Sequence, residues 1–599
     1  PMFFITGMMG PYMAPMAINV PLTVTFSTVC ALTFVPFLAL KFLKHRAGEL
    51  DPGADGTPQW IYRFYSKAIT PFFKRRNARL LVTVVFLLVA GSVMLIYFKV
   101  PLKMLPYDNR DELQLVVRMP PNTTLEETSK AVVALENFIA RQNEVVNYQS
   151  YIGIPSPIDF NGLVRHYRMR TMSNQADMRI NLLPKAERKM PSHEMALRIR
   201  PEIDRIAKQF GAMVNIVEVP PGPPVLATMT AEVYGTADKS YADLLQGAEE
   251  LQKRLAQTDS RHFAEIDMIQ EPSADRYIFK INVEKAAANG LTSQEITSCL
   301  TTAVSGRNIG NLRVPHERQP LPLNLRLPYV DRNDIHRLNN LVLRGSTGGV
   351  QLAELGTFVP APSEMPIMHK DVRPVVFVTA EAVGRPPGEM ILQTQFSTLE
   401  KNPLPKGISV VWAGEGEWEI TLRVFRDLGL AFGAAMLGIL LLLVVQTRNF
   451  RISLVMMCAI PLTLIGIAPG FFFLNLTVSN TVGGYSSPVF FTATGMIGMI
   501  ALGGIVVRNS IVLLDFIHER RNNGVPLREA VLKSGAVRFR PIMLTAVTTL
   551  MGTWPITLDP IFSGLAWALI FGLIASTAFT MIVIPVIYML IDSEKGTLT

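Results

Sequence analysis

Two short stretches place charged side chains where charge is costly. TGMIGMIALGGIVVRNSIVLLDF (Thr494–Phe516) has the apolar spacing of a membrane helix and carries one arginine, Arg508, in its interior, with Asn509 beside it. After a short basic loop, RFRPIMLTAVTTLMG (Arg538–Gly552) opens a second apolar helix, with Arg538 and Arg540 at its mouth and Thr545 further in. A cation at bilayer depth costs ~2.5–3.5 kcal/mol on insertion scales, so it needs a protein partner or a water-filled path. The chemistry such a residue supports is that of a fixed countercharge for carboxylates that exchange protons. If Asp515 and His518 mark the membrane interface, Arg508 lies roughly 13 Å deeper at 1.5 Å per residue. A guanidinium snorkelling to the headgroups is the competing reading. No Asp or Glu lies deep in an apolar span, so the partner carboxylates are expected outside this sequence.

The composition agrees with a membrane setting. Of 599 residues, 49% are hydrophobic and 18% charged, and mean hydropathy is +0.28. Soluble domains carry about a quarter charged residues, so a polytopic membrane protein is expected. The net charge of +9 resides in Lys and Arg beside apolar spans, the positive-inside pattern, and not in a groove for nucleic acid. Of the three cysteines, Cys30 and Cys458 fall in apolar spans and only Cys299 does not, which leaves no disulfide framework. The histidines lack HxxxH or HExxH spacing, and no Gly-Lys pair exists to build a P-loop. A G-x-S-x-G elbow is missing too. No enzyme chemistry and no cofactor are expected, and an ion gradient is the expected energy source. The chain starts at Pro1 inside an apolar pattern with no signal peptide, as the later part of a longer polypeptide would.

The elements that position these residues follow in order. Residues 1–46 read as the end of one membrane helix, a turn around Pro11–Pro15 and a second span. Residues 47–79 read as a cytoplasmic amphipathic segment rich in Arg and Lys, and 80–98 as a span leading back out. From Lys99 to Arg423 nothing could cross a bilayer. Residues 99–221 give strand, helix capped by Thr124 and Glu127, strand, loop, strand, helix, strand, the β-α-β-β-α-β order of a ferredoxin-like unit. After the stiff PPGPP linker (Pro220–Pro224) the pattern restarts at 222–275 and finishes at 363–423. Residues 276–362 interrupt it, with a helix capped by Thr292 and Glu295 and a polar arm, Gly306–Pro322. Residues 424–599 supply five more spans, with Arg448, Arg451 and Arg520–Arg540 on the cytoplasmic side.

IVVRNSIVLLDF followed by RFRPIMLTAVTTLMGTWPI resembles the tenth and eleventh transmembrane helices of the resistance-nodulation-division (RND) efflux permeases. The resemblance runs along the chain: GMMGP leading into ALTFVP (Ala31–Pro36), MPPNTTLEET (Met119–Thr128), FKINVEKAAANGLTSQEI (Phe279–Ile296) and CAIPLTLIG (Cys458–Gly466). It implies a polytopic α-helical membrane protein with a large periplasmic α+β insert. That insert would hold two ferredoxin-like porter units, the second interrupted by a docking subdomain. The spans become the end of the fifth and the sixth transmembrane helix, the seventh at 80–98, and the eighth to twelfth at 424–599. It further implies the inner-membrane permease of a tripartite pump, a homotrimer driven by proton antiport. Its partners would be a periplasmic adaptor, an outer-membrane channel, protons and a small-molecule substrate. The proton relay carries over to Arg508, Asn509, Thr545 and Arg538, while the helix bearing the paired aspartates is absent from this sequence.

Several positions leave alternatives open. Many drug-exporting members have lysine where this chain has Arg508; arginine stays protonated, so here it is expected to act as a fixed countercharge. Thr545 also has the reading of a hydroxyl bonded back to its own helix. The porter loop Gly153–Asp177 holds Phe160, Arg165, Tyr167 and Arg168, with His166 and Arg170, in place of a phenylalanine cluster. It reads either as a path for a more polar or anionic substrate or as a solvated loop. Met169, Met172 and Met178 suit a Cu(I) or Ag(I) exporter of the same family, against ordinary packing. In the arm, Arg313, His316 and Arg318 are expected to meet a neighbouring subunit or adaptor, against a plain surface loop. A protein-export accessory or a sterol-sensing module is the reading outside efflux.

Overall fold

The structure is a computed structural model that describes residues 5–7, 9–42, 58–270, 275–346 and 348–592. The basic end of the expected second span (Lys44, Arg46) and the polar stretch 51–56 lie outside the described residues. Helix α1 (Met9–Phe42) runs unbroken through Pro11 and Pro15, where a turn is expected from the sequence. Pro11 sits in the first turn, whose amides have no intrahelical acceptor to lose. The non-helical residues come earlier, at Ile5–Gly7, with Gly7 at φ 70°.

The amphipathic helix α2 is shorter than expected, Gln59–Ile69, and buries Ile61, Tyr65 and Ile69 at helical spacing. Tyr65 donates its hydroxyl to the carbonyl of Met581 at 3.0 Å. Pro71 and the extended backbone of Lys74 end this segment, so Arg75–Arg79 belong to the spanning helix α3 (Arg75–Lys99) and not to the surface segment.

The first α/β unit follows: β1 (Glu112–Arg118), α4 (Leu125–Ile139), β2 (Val145–Ile152), β3 (Gln175–Leu182), α5 (Ser192–Gln209) and β4 (Met213–Val217). Its sheet has the order β2-β3-β1-β4 with every pair antiparallel. Thr124 caps α4 by accepting from the Glu127 amide. The core comes from alternate strand residues such as Leu113, Leu115, Val117, Met178 and Ile180 under Val132, Leu135, Ile199 and Ile203 of the helices.

The second unit begins with β5 (Met229–Gly235), α6 (Tyr241–Thr258) and β6 (Phe263–Met268), α6 being started by a Ser240–Asp243 capping box. Residues 270–366 then form a compact unit of their own, wider than the expected 276–362. Asp275 opens its strand β7 (Asp275–Ile281), which pairs along its length with a later strand and so draws the boundary outward. The unit holds α7 (Ser293–Val304), with its Thr292–Glu295 capping box, and a hairpin, β8 (Arg307–Leu312) with β9 (Leu321–Leu325); β10 (Gly356–Pro362) closes it against β7. The arm Gly306–Pro322 thus holds the first strand and the turn of an ordered hairpin. The second unit resumes with β11 (Val376–Ala382), α8 (Pro387–Gln393) and β12 (Ile408–Val411), giving the order β12-β5-β11-β6. Its core (Ala231, Val233, Leu251, Val376, Val378, Ile391) is separate from that of the first sheet.

The last part is helical: α9 (Gly416–Thr447), α10 (Phe450–Met457), α11 (Leu464–Thr477), α12 (Ala493–Asn522), α13 (Leu527–Thr553) and α14 (Ser563–Asp592). A boundary at 423/424 is expected from the sequence, but α9 begins at Gly416 and passes through it without a break. Among the described residues, seven helical stretches are long and apolar enough to cross a membrane. Helix α14 packs against α11, α12 and α13, with glycines at close approaches to α11 and α12. A Cβ on Gly466 would lie 2.1 Å from the carbonyl oxygen of Phe571, a backbone atom that cannot turn aside. Gly466→Ala is therefore expected to destabilise the bundle by ~1–3 kcal/mol. A lowered thermal midpoint in detergent checks this; an unchanged midpoint would mean that the two helices part freely.

Candidate functional site

Arg508 lies at the middle of α12, fifteen residues after Ala493 and fourteen before Asn522. It is exposed, as are Ala501, Gly504 and Asp515 at helical spacing along the same face. A Cβ on Gly504 would meet nothing within 4 Å, so this strip is open and lined by small residues. Among the described residues Arg508 forms no ion pair or hydrogen bond. Asn509, the next residue, is buried, at 5% exposure. Thr545 donates its hydroxyl to the carbonyl of Ile542 at 3.0 Å, back to its own helix. Arg538 stacks its guanidinium over Phe516, 4.5 Å from the ring centre. Among the described residues no hydrogen bond or ion pair joins any two of these four.

What the structure adds is the way α12 is tied to the rest. The Ala493 amide donates to the carbonyl of Met104 at 3.0 Å; in the same short stretch the Lys103 amide donates to the carbonyl of Phe491 and the Phe491 amide to that of Pro101. Lys103 is buried and pairs with Glu417 of α9 at 3.5 Å. Its ammonium lies 3.5 Å from the centre of the Tyr107 ring, which stacks on His193 of α5. His193 Nδ1 in turn meets Glu218 at 2.8 Å. Burial works against the charge on Lys103, but Glu417 and Tyr107 outweigh it and hold the ammonium well above its ordinary pKa. Burial likewise pushes Glu218 up, and His193 with Lys103 more than offsets this, leaving its pKa lowered. A column of stacked and paired side chains thus runs from α9 to the first sheet, touching the segment that anchors the Arg508 helix.

This column walls a cavity of about 90 Å³ at the junction of the two sheets, also lined by Arg165, Arg200, Thr228 and Glu381. The sequence flags Arg165 only. The signal for Lys103 is an ionisable residue inside an apolar run, VPLKML.

The loop residues singled out from the sequence part company. Phe160 is 55% exposed, Tyr167 is buried with Val116 and Val217, and Arg165 faces Glu381 at 3.5 Å. Arg168 lies in a single helical turn, Tyr167–Met169. Arg170 bonds Asp177 at 2.8 Å, so two of the loop's cations are matched by carboxylates. Met178 is in the first sheet's core, whereas Met169 and Met172 are exposed. In the hairpin unit, Arg313, His316 and Arg318 are exposed at the tip, with His316 at φ 77°.

A model of the AcrB/AcrD/AcrF family matches residues 1–592. The chain is similar to the swarming motility protein SwrC of Bacillus subtilis, at 24% identity over 98% of this chain and 53% of that protein. It is similar to the cobalt-zinc-cadmium resistance protein CzcA of Cupriavidus metallidurans, at 24% identity over 98% and 54% respectively. It is also similar to the multidrug resistance protein MdtC of Serratia proteamaculans, at 20% over 99% and 55%. The chain thus spans about half the length of the curated relatives it matches. Among solved structures, a heavy metal efflux pump superposes with TM-score 0.76 at 20% identity, over 99% of this chain and 57% of that one, a likeness of fold.

Proposed function

This chain belongs to the AcrB/AcrD/AcrF family of RND permeases, and on that premise we propose that it is the C-terminal part of a proton-driven efflux permease. In this reading the two sheets are ferredoxin-like porter units, and residues 270–366 form a docking subdomain whose hairpin, with Arg313, His316 and Arg318, meets an adaptor or a neighbouring subunit. The complete protein is a homotrimer in a bacterial inner membrane, working with a periplasmic adaptor and an outer-membrane channel.

The observation that carries this is the position of Arg508: mid-length in α12, on an open strip of small residues. Such a strip suits a companion helix, and a permanent cation there suits carboxylates whose titration it tunes. Asn509, Thr545 and Arg538 belong to the same relay and answer the carboxylates, not Arg508 itself. Protons entering or leaving those carboxylates change the tilt of α12. Its anchorage to Met104 and Lys103 passes the change to the column and the sheets, and no covalent step is needed.

We assign organic small molecules as the substrate class, passing Phe160, Arg165, Tyr167 and Arg168 on the way in. The separation of Met169, Met172 and Met178 supports this over a soft-metal relay. The test is the full-length protein in a pump-deleted strain, comparing tolerance to organic toxicants with tolerance to copper, silver, zinc and cobalt salts. Tolerance to organic compounds that an uncoupler abolishes is expected. Tolerance to metal salts alone would overturn the substrate assignment, and tolerance that survives the uncoupler would overturn the proton drive.

A further inference from the structure

Strand β6 contains a residue that breaks its own ladder. Glu265 has φ 53°, a left-handed conformation that a glutamate holds only when its surroundings impose it. At the same place the register between β6 and β11 slips, between Thr379 and Glu381. A bulge of this kind re-aims a side chain, and here it sends the carboxylate out of the second sheet altogether. Glu265 Oε1 accepts from the amide of Ile216 on β4 at 3.0 Å and from the Arg200 guanidinium of α5, both in the first unit. The pair is buried, at 6% and 4% side-chain exposure, and Glu265 Oε2 has no hydrogen-bond partner among the described residues. On either side stand Arg118 with Asp267, and Arg165 with Glu381 at 3.5 Å. In all three pairs the arginine comes from the first unit and the acid from β6 or β11.

We propose that Glu265 is the latch of the cleft between the two porter units, a positioning residue that holds the sheets together and must let go of Arg200 for substrate to enter. This rests on the transport reading above. Since the apolar cores are separate, the contact between units here is polar, the kind across which motion is the default. Whether Glu265 is neutral or ionised in the closed cleft, what it gains from Arg200 and the Ile216 amide is largely cancelled by the water these groups give up. Closed and open forms therefore lie close in free energy, as a gate requires.

The latch senses protons. Burial pushes the Glu265 carboxyl up to about 7, against the attraction of Arg200, with repulsion from Glu381 added. The other groups facing it are Arg165 and the Ile216 amide, with Asp204 acting on Arg200 from the same helix. In an open cleft the carboxyl regains water and its ordinary value of 4.5. The closed form therefore binds a proton that the open form releases, so opening is favoured as pH rises between those two values.

The test is double electron–electron resonance on the full-length trimer in nanodiscs, with spin labels at exposed Arg205 in the first unit and exposed Lys253 in the second. The wild type should gain a longer distance as pH rises from the ordinary carboxylate range to neutrality. Glu265→Gln, neutral throughout, should stay at the short distance at every pH and lose most of the turnover. Glu265→Ala should show the long distance at every pH. The same pH response in Glu265→Gln as in the wild type would overturn the latch, even if the alanine variant fails to fold. If distances respond but the protein moves no substrate, the transport reading fails and the latch stands; transport with distances that ignore pH has the opposite meaning.

Discussion

Replacing Arg508 with alanine in the full-length protein should reduce export to the background of a pump-deleted strain while leaving expression and trimer assembly intact. The α12 helix is 30 residues long, ~45 Å at 1.5 Å per residue, and overhangs a hydrocarbon core of ~30 Å at both ends. Arg508 is at its midpoint, so its guanidinium has the longest way to reach either headgroup layer. Keeping a cation there costs ~2.5–3.5 kcal/mol, and nothing in this chain offsets it among the described residues. Alanine would therefore make the fold no less stable but would leave proton-exchanging carboxylates without their countercharge. Arg508→Lys should retain export and add a pH dependence, because an ammonium deprotonates where a guanidinium does not. Efflux of a fluorescent substrate from energised cells is the measurement. Wild-type export by the alanine variant would reduce Arg508 to a snorkelling residue and remove the main support for proton coupling.

The second large effect is on stability. Lys103 and Glu417 are both buried, at 5% and 9% side-chain exposure. Removing one member of a buried pair strands the other, at ~3–5 kcal/mol, whereas replacing both with apolar side chains is close to neutral. Lys103→Met should thus cost ~3–5 kcal/mol and, by removing the cation from the Tyr107 ring, loosen the stack on His193. The double variant Lys103→Met/Glu417→Leu should recover most of the loss. Thermal unfolding in detergent followed by tryptophan fluorescence, run as a double-mutant cycle, tests this. A single variant as stable as the wild type would show that the cavity admits enough water to solvate Glu417 alone.

These residues also show what the sequence could carry. Strands and helices of the two sheets are legible because alternation and caps are local: Thr124 and Thr292 each mark a helix start that the structure reproduces. Arg508 is legible because a charge in an apolar run is a local anomaly. Lys103 in VPLKML is the same kind of anomaly, but nothing local says that its partner is Glu417, far along the chain. Glu265 is harder still. Alternation in FAEIDM puts it on one face with Asp267, but the register slip that turns it outward belongs to the pairing with β11, far along the chain. The expected break near Arg423 fails for a related reason. Glu417 and Asp427 look too polar for a continuous membrane helix, yet Asp427 is satisfied by the Thr6 amide at 3.0 Å and the Thr6 hydroxyl at 2.6 Å.

The unbroken course of α9 has a mechanical meaning. Its 32 residues make a rod of ~48 Å at 1.5 Å per residue, gripped near its top by Lys103 and at Asp427 by the residues that precede α1. A rod with no joint stores little of what is done to it. A twist or lift applied at one end arrives at the other almost whole, so the sheet it springs from and the helices beside its lower half keep time with each other like parts on one crankshaft.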